Sequence, residues 1–202
     1  MMHSFILASM ETQPTITVGS MLERSLPVAL VPCWGSYEKT EGSLRLAKQG
    51  DTLSLRYMLR SPLLRRMVQE HNLEVCDDSC VGLLLKSKES EQYLHLQCSA
   101  SGALRSWWVS NEGERTLLPS SLLETIPVTV TILENSNAQS RWSVEMHLDL
   151  KALKIDTDGP LFGNFYSCAE QTDQKYYLLA HETGTLEPNV EVPSAFMALE
   201  FL

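Results

Sequence analysis

Leu53, Leu55, Tyr57 and Leu59 occupy every second position of the segment 52–59, with Thr52, Ser54, Arg56 and Met58 between them. Successive side chains of a strand point to opposite faces, so this alternation predicts a strand with one buried face. Residues 43–47 precede it across Gln49-Gly50-Asp51, where Gly50 supplies the positive φ that a tight hairpin needs. Residues 92–98 alternate in the same way: Leu94 and Leu96 share one face, and Tyr93, His95 and Gln97 share the other. The segments 128–133 and 142–148 form a further alternating pair around the polar loop 134–141. Shorter β-branched, aromatic or apolar runs at 15–18, 26–31, 81–85, 104–109, 163–168, 176–180 and 195–201 read as additional strands. Pro27 and Pro32 bound the run 26–31 and predict an edge strand, because proline cannot donate to a ladder. Residues 61–72 predict a helix: Ser61 can cap it, Pro62 suits a first turn, and Leu63, Leu64, Met67 and Val68 recur at helical spacing. Residues 149–154 fit one further helical turn. The expected class is all-β: a two-sheet antiparallel β-sandwich of about ten strands with one or two short helices.

Length adds that 202 residues suit a single domain with a substantial core, residues 1–24 being an N-terminal extension or edge strand. A formal net charge of −9 excludes a nucleic-acid backbone as partner, since counterion release requires clustered Lys and Arg. The one basic cluster, Arg60 to Arg66, is short and reads as a solvated face. No window approaches a membrane span. The first ten residues lack a basic leader region and a long apolar run, so no signal peptide is expected and a soluble, cytoplasmic protein is favoured. Five cysteines, an odd number, read as free and mostly buried thiols rather than a disulfide framework. Cys76 and Cys80 stand four apart without a companion Cys or His pair, so no metal site is expected.

Enzyme signatures are missing. The chain has no Gly-x-Ser-x-Gly, no His-Glu-x-x-His and no Gly-rich phosphate loop. Glu145 and Glu170 could serve as a glycosidase pair only if the fold joined them, and nothing in the sequence does so. A non-enzyme is expected. Asp78 and Ser79 read as a turn cap that positions the following strand. His147 alternates with Met146 and Leu148 and should be exposed. Trp34 clusters with Gly35 and Tyr37, and Trp107 and Trp108 are adjacent, so one ring of that pair points inward and one outward.

The order of several motifs makes the reading more specific. Asp78-Ser79-Cys80-Val81 runs into an apolar strand, and Tyr93 opens a strand that ends at Cys98 before a turn at Gly102. Trp142-Ser-Val-Glu145, Gly163-Asn-Phe-Tyr-Ser-Cys168, Tyr176-Tyr177 and Pro193-Ser-Ala-Phe-Met-Ala-Leu-Glu-Phe201 follow. This series, over about residues 25–202, resembles the family-9 carbohydrate-binding modules and their bacterial relatives. The resemblance implies a β-sandwich whose concave face holds a sugar between aromatic rings, with polar side chains on its hydroxyls. It also implies structural calcium in some members, although no calcium-loop motif occurs here and no cofactor is expected. On that face the resemblance places His95, Gln97 and Ser167, beside an exposed ring of Trp107 or Trp108, as ligand-binding candidates. It further places Cys80 and Cys168 in adjacent strands, where a disulfide would need Cα atoms within about 7 Å.

The chain departs from the family at the ligand. Gly82 replaces an acidic residue. Glu74-Val75-Cys76 and Asn189-Val190-Glu191-Val192 stand where the two clamp aromatics would be, Leu179-Ala180 stands where relatives carry Ser-Trp, and Met197 replaces a Gly. The expected function is therefore a non-catalytic carbohydrate-binding-type module for an oligo- or polysaccharide, with sugar binding weakened or lost. The alternatives are a protein-interaction or structural β-sandwich, including a homodimer, and at lower weight a glycoside-processing enzyme.

Overall fold

The computed structural model describes residues 13–202. Its strands are β1 (Thr15–Val18), β2 (Val28–Pro32), β3 (Glu41–Gln49), β4 (Thr52–Ser61), β5 (Cys80–Ser87), β6 (Gln92–Ser99), β7 (Leu104–Ser110), β8 (Arg115–Leu117), β9 (Val128–Asn135), β10 (Ser140–Asp149), β11 (Leu161–Ala169), β12 (Tyr176–Leu179) and β13 (Met197–Phe201). One short helix, α1 (Ser120–Leu123), and two 3-10 turns, Val75–Asp77 and Pro193–Ala195, accompany them. The hydrogen-bonded order is β8-β7-β6-β5-β11-β12-β2-β3-β4-β10-β9, and β13 also joins β11. Folded at β2, this order makes the two facing layers of an antiparallel β-sandwich. β1 runs parallel to β13, with Thr15 opposite Ala198.

The alternating segments build the core as expected. Leu44, Leu46, Leu53, Leu55 and Tyr57 of β3 and β4 are fully buried, in one cluster with Val81, Leu83, Leu85, Leu94 and Leu96 of the other layer. Gly50, at φ +57°, turns the β3–β4 hairpin. The β5–β11 layer is covered on its outer face too: Cys80, Leu84, Tyr93, Trp107, Val109, Tyr166 and Cys168 form a second apolar cluster there. A strand buried on both faces has no polar face to alternate, so Cys80–Leu85 reads as a continuous run.

Two expectations change. Residues 62–69 are irregular rather than helical. Their donors find tertiary partners instead: Asp78 Oδ2 accepts from the Met67 and Val68 N–H groups at 2.7 Å each, and Ser79 Oγ accepts from Arg65 N–H at 3.1 Å. Those bonds replace the helical ladder, which explains why helical spacing misleads here. Strand β2 is not an edge; it joins the two layers, with Leu30 opposite Gly42 of β3 and Val31 opposite Leu179 of β12. Residues 149–154 form the single turn expected of them: Leu153 N–H donates to the Asp149 carbonyl at 3.0 Å, and Asp149 Oδ1 accepts from Ala152 N–H at 2.9 Å. Strand β8 and helix α1 had no sequence signal, since β8 is three exposed residues. Residues 1–12, which carry the leader reading, lie outside the described residues.

Candidate functional site

Strand alternation decides which candidates meet. On β6, Leu94 and Leu96 enter the sandwich core, and His95 and Gln97 face the outer side of the layer. On β7, Trp107 shares that outer side, whereas Trp108 packs against the core between the sheets. On β11, Tyr166 and Cys168 point outward. Ser167 points inward, fully buried, its hydroxyl donating to the Cys80 carbonyl at 2.8 Å. The structure therefore joins His95, Gln97 and Trp107, and leaves Ser167 and Trp108 on the opposite face.

Tyr166 organises the group. Its ring crosses β5 at Gly82, where an added Cβ would stand 2.2 Å from Cζ. Gly82 is thus what makes room for the ring. The Tyr166 hydroxyl lies 2.9 Å from Gln97 Nε2 and 2.7 Å from His95 Nε2, and His95 Nδ1 lies 2.7 Å from Glu191 Oε1. The two ends of the chain have fixed directions, because an amide N–H2 only donates and an ionised carboxylate only accepts. Gln97 donates to the Tyr166 oxygen, His95 Nδ1–H donates to Glu191, and Tyr166 and His95 Nε2 share the hydrogen bond between them.

Glu191 gathers the far side. Oε1 also accepts from Trp107 Nε1–H at 3.1 Å, and Oε2 accepts from Arg115. Burial alone would raise this carboxyl. The His95 hydrogen bond and charge, with those of Arg115, outweigh it and bring the pKa down to about 2. Trp107 is 7% exposed, and the guanidinium groups of Arg105 and Arg115 each lie over its ring, 5.4 Å from the centroid. It is a buried support, not an open platform.

These groups line a pocket of about 450 Å³ on the outer face, together with Glu74, Tyr177, Asn189 and Glu170. Half-buried Tyr177 presents an aromatic ring to it, held edge-on by Trp34 at a centroid distance of 5.5 Å. Trp34 is itself tied to the Thr185 carbonyl through Nε1 at 2.8 Å. Both segments that lack a clamp aromatic border this pocket, through Glu74 and Cys76 on one side and Asn189, Val190 and Glu191 on the other. Cys80 and Cys168 are direct cross-strand partners with free thiols, and Cys76 adds a third sulfur beside them.

Glu145 stays in the other layer, on β10, bonded to Arg56 at 2.7 Å and to His147 at 3.1 Å, so the fold does not pair it with Glu170. Half-buried His147 also meets Ser54 Oγ at 2.8 Å. Sequence reading missed Tyr166, Tyr177, Glu191, Arg105 and Arg115. Tyr166 and Tyr177 did lie inside quoted motifs, and Glu191 lay inside a quoted departure. Arg115 had no signal, because it sits on the unrecognised β8.

The sequence profile of carbohydrate-binding family 9 matches residues 29–201. No curated protein sequence matches this one. A crystal structure of a Bacteroides uniformis protein proposed to bind carbohydrate superposes with a TM-score of 0.79 at 18% identity, covering 95% of this chain and 100% of that one. A family 9 carbohydrate-binding module from Caldicellulosiruptor kristjanssonii, in complex with glucose, superposes with a TM-score of 0.58 at 11% identity, covering 93% and 95%. At these identities the two structures show a common fold.

Proposed function

We propose, on the premise that this chain belongs to carbohydrate-binding family 9, that it is a non-catalytic saccharide-binding module that grips its ligand mainly through polar groups. The observation that carries this reading is the pocket on the outer face of the β5–β11 layer. There, Tyr177 stands beside Arg105, Arg115, Asn189 and the Glu191 network. A sugar ring needs an aromatic face for its C–H groups and paired polar groups for its hydroxyls. Tyr177 supplies the first, and the charged and amide side chains around it supply the second. A pocket of about 450 Å³ lies within the range of small-ligand sites. The Caldicellulosiruptor module, in complex with glucose, supports a saccharide as the ligand class.

One open ring, in place of an aromatic clamp, sets the strength. A stacked ring is worth about 1–3 kcal/mol. A millimolar complex amounts to only about 4 kcal/mol. The module therefore binds single sugars weakly and needs several units, or several copies of the site, to hold a polymer.

The non-catalytic part rests on Glu191. Its two oxygens already receive His95, Trp107 and Arg115, which fits a positioning role better than nucleophilic attack. An interaction scaffold would present an apolar patch here, whereas this pocket is lined by Glu74, His95, Arg105, Arg115, Glu170 and Glu191. Calorimetric titration of a panel of oligosaccharides tests the reading. Millimolar binding without release of reducing sugar is expected; no binding to any member, or turnover of a bound one, would contradict it.

A further inference from the structure

Cys76, Cys80 and Cys168 come from three elements: the Val75–Asp77 turn, the first residue of β5 and the penultimate residue of β11. Their sulfur atoms all lie within 4.8 Å of one another, and Cys76 Sγ lies 3.1 Å from Cys80 Sγ. The fold fixes this convergence. Cys80 and Cys168 face each other across the β5–β11 ladder. The Cys76 carbonyl accepts from Glu170 N–H at 3.1 Å, which ties the turn to the end of β11. Cys76 and Cys168 both line the saccharide pocket.

We propose that these three cysteines form a thiolate site for one soft d10 cation, zinc, with its fourth coordination position opening into the pocket. Zn–S bonds of about 2.3 Å in a tetrahedron place sulfurs about 3.8 Å apart. The Cys76–Cys80 separation of 3.1 Å lies below that value and the 4.8 Å limit on all three pairs lies above it, so adjustments of about 1 Å reach it. Thiolate sulfur selects soft ions over calcium or magnesium. Charge favours zinc over copper(I): three thiolates with Zn²⁺ leave one net negative charge near the core, and with Cu⁺ they leave two, which costs more to bury. Three protein ligands with one open position is also the arrangement of a zinc that takes a water or ligand in its fourth position, rather than a closed structural one. Zinc binding would displace the thiol protons to solvent, so uptake should release protons and strengthen as pH rises. This site goes beyond saccharide binding and can stand or fall separately from it.

The test uses the full chain, reduced and stripped with chelator, with Co²⁺ as a visible probe and Zn²⁺ as competitor. One Co²⁺ per chain is expected, with a near-ultraviolet thiolate-to-cobalt band that Zn²⁺ abolishes. Cys76→Ser, the least buried of the three, should lower zinc affinity about a hundredfold or more, and Cys33→Ser should leave it unchanged. In the unmutated protein, Zn²⁺ should slow alkylation of Cys76 by iodoacetamide, a readout that does not depend on a variant folding. Absence of the cobalt band, zinc affinity unchanged in a folded Cys76→Ser, or alkylation indifferent to Zn²⁺ would overturn the proposal.

Discussion

Tyr166 occupies the space that a side chain at Gly82 would fill: a Cβ there would stand 2.2 Å from Tyr166 Cζ and 2.5 Å from its hydroxyl oxygen. In this chain a side chain at position 82 and the present placement of the Tyr166 ring are therefore mutually exclusive. Gly82 and Tyr166 are direct cross-strand partners in the β5–β11 ladder, so the ring folds back over the glycine of the neighbouring strand.

Gly82→Ala should cost about 1–3 kcal/mol of stability, the usual range for overpacking. The ring would have to leave and would take its bonds to His95 and Gln97 with it. In a Tyr166→Ala background the same substitution should be nearly neutral. Urea unfolding of the four proteins in this cycle checks the coupling.

Asp78 holds the segment that fails to become a helix. It is fully buried, accepts the Met67 and Val68 N–H groups, and lies 3.7 Å from Arg65 Nη1. Asp78→Ala should cost about 3 kcal/mol or more, since two hydrogen bonds to a charged acceptor are lost together. Residues 62–74 should become the first site of proteolytic nicking, with the strands still protected.

Glu191 makes acid stability specific. Its folded pKa of about 2 lies below the ordinary 4.5. The unfolded chain therefore takes up the proton first as pH falls, and protons bound by the unfolded state favour unfolding. The contribution is fully present above pH 4.5 and is lost as pH falls from there toward 2. Glu191→Gln should be less stable at neutral pH and should lose this part of the pH dependence. Thermal unfolding across pH 2–6 measures it.

Much of the fold was legible because one-sided burial leaves alternation, as at Leu53, Leu55, Tyr57 and Leu59. The helix expected at 61–72 failed because Asp78 and Ser79, distant from most of it in sequence, supply partners that local spacing cannot reveal. The site was legible in part. His95 and Gln97 share a face by strand periodicity, and Trp107 joins them for the same reason. Ser167 was misplaced by one residue of register: its neighbours Tyr166 and Cys168 face the pocket, and it faces the core. Glu191 stands in a loop whose missing aromatic was visible, but its ion pair with Arg115 and its bond to His95 depend on tertiary approach. The Cys76–Cys80 spacing gave no metal signature because its third partner lies on β11.

Tyr177 and Trp107 should separate binding from support. Tyr177→Ala removes the open ring and should weaken saccharide binding about tenfold, within the about 1–3 kcal/mol of one stacking contact, with little effect on stability. Trp107→Ala removes a 7%-exposed ring and a Glu191 hydrogen bond. It should lower stability by about 3–5 kcal/mol. Calorimetric titration and urea unfolding of both variants make the comparison.

The most direct measurement is the indole N–H spectrum of the ¹⁵N-labelled protein during titration with an oligosaccharide that binds it. The chain has four tryptophans. Trp107 Nε1–H is bonded to Glu191 in the pocket, while fully buried Trp142 lies in the sandwich core and its Nε1 has no partner among the described residues. A saccharide in the pocket of Tyr177, Arg115 and Glu191 predicts a saturable shift of the Trp107 resonance with Trp142 unmoved. Saturable binding that leaves Trp107 unchanged would contradict that placement of the site.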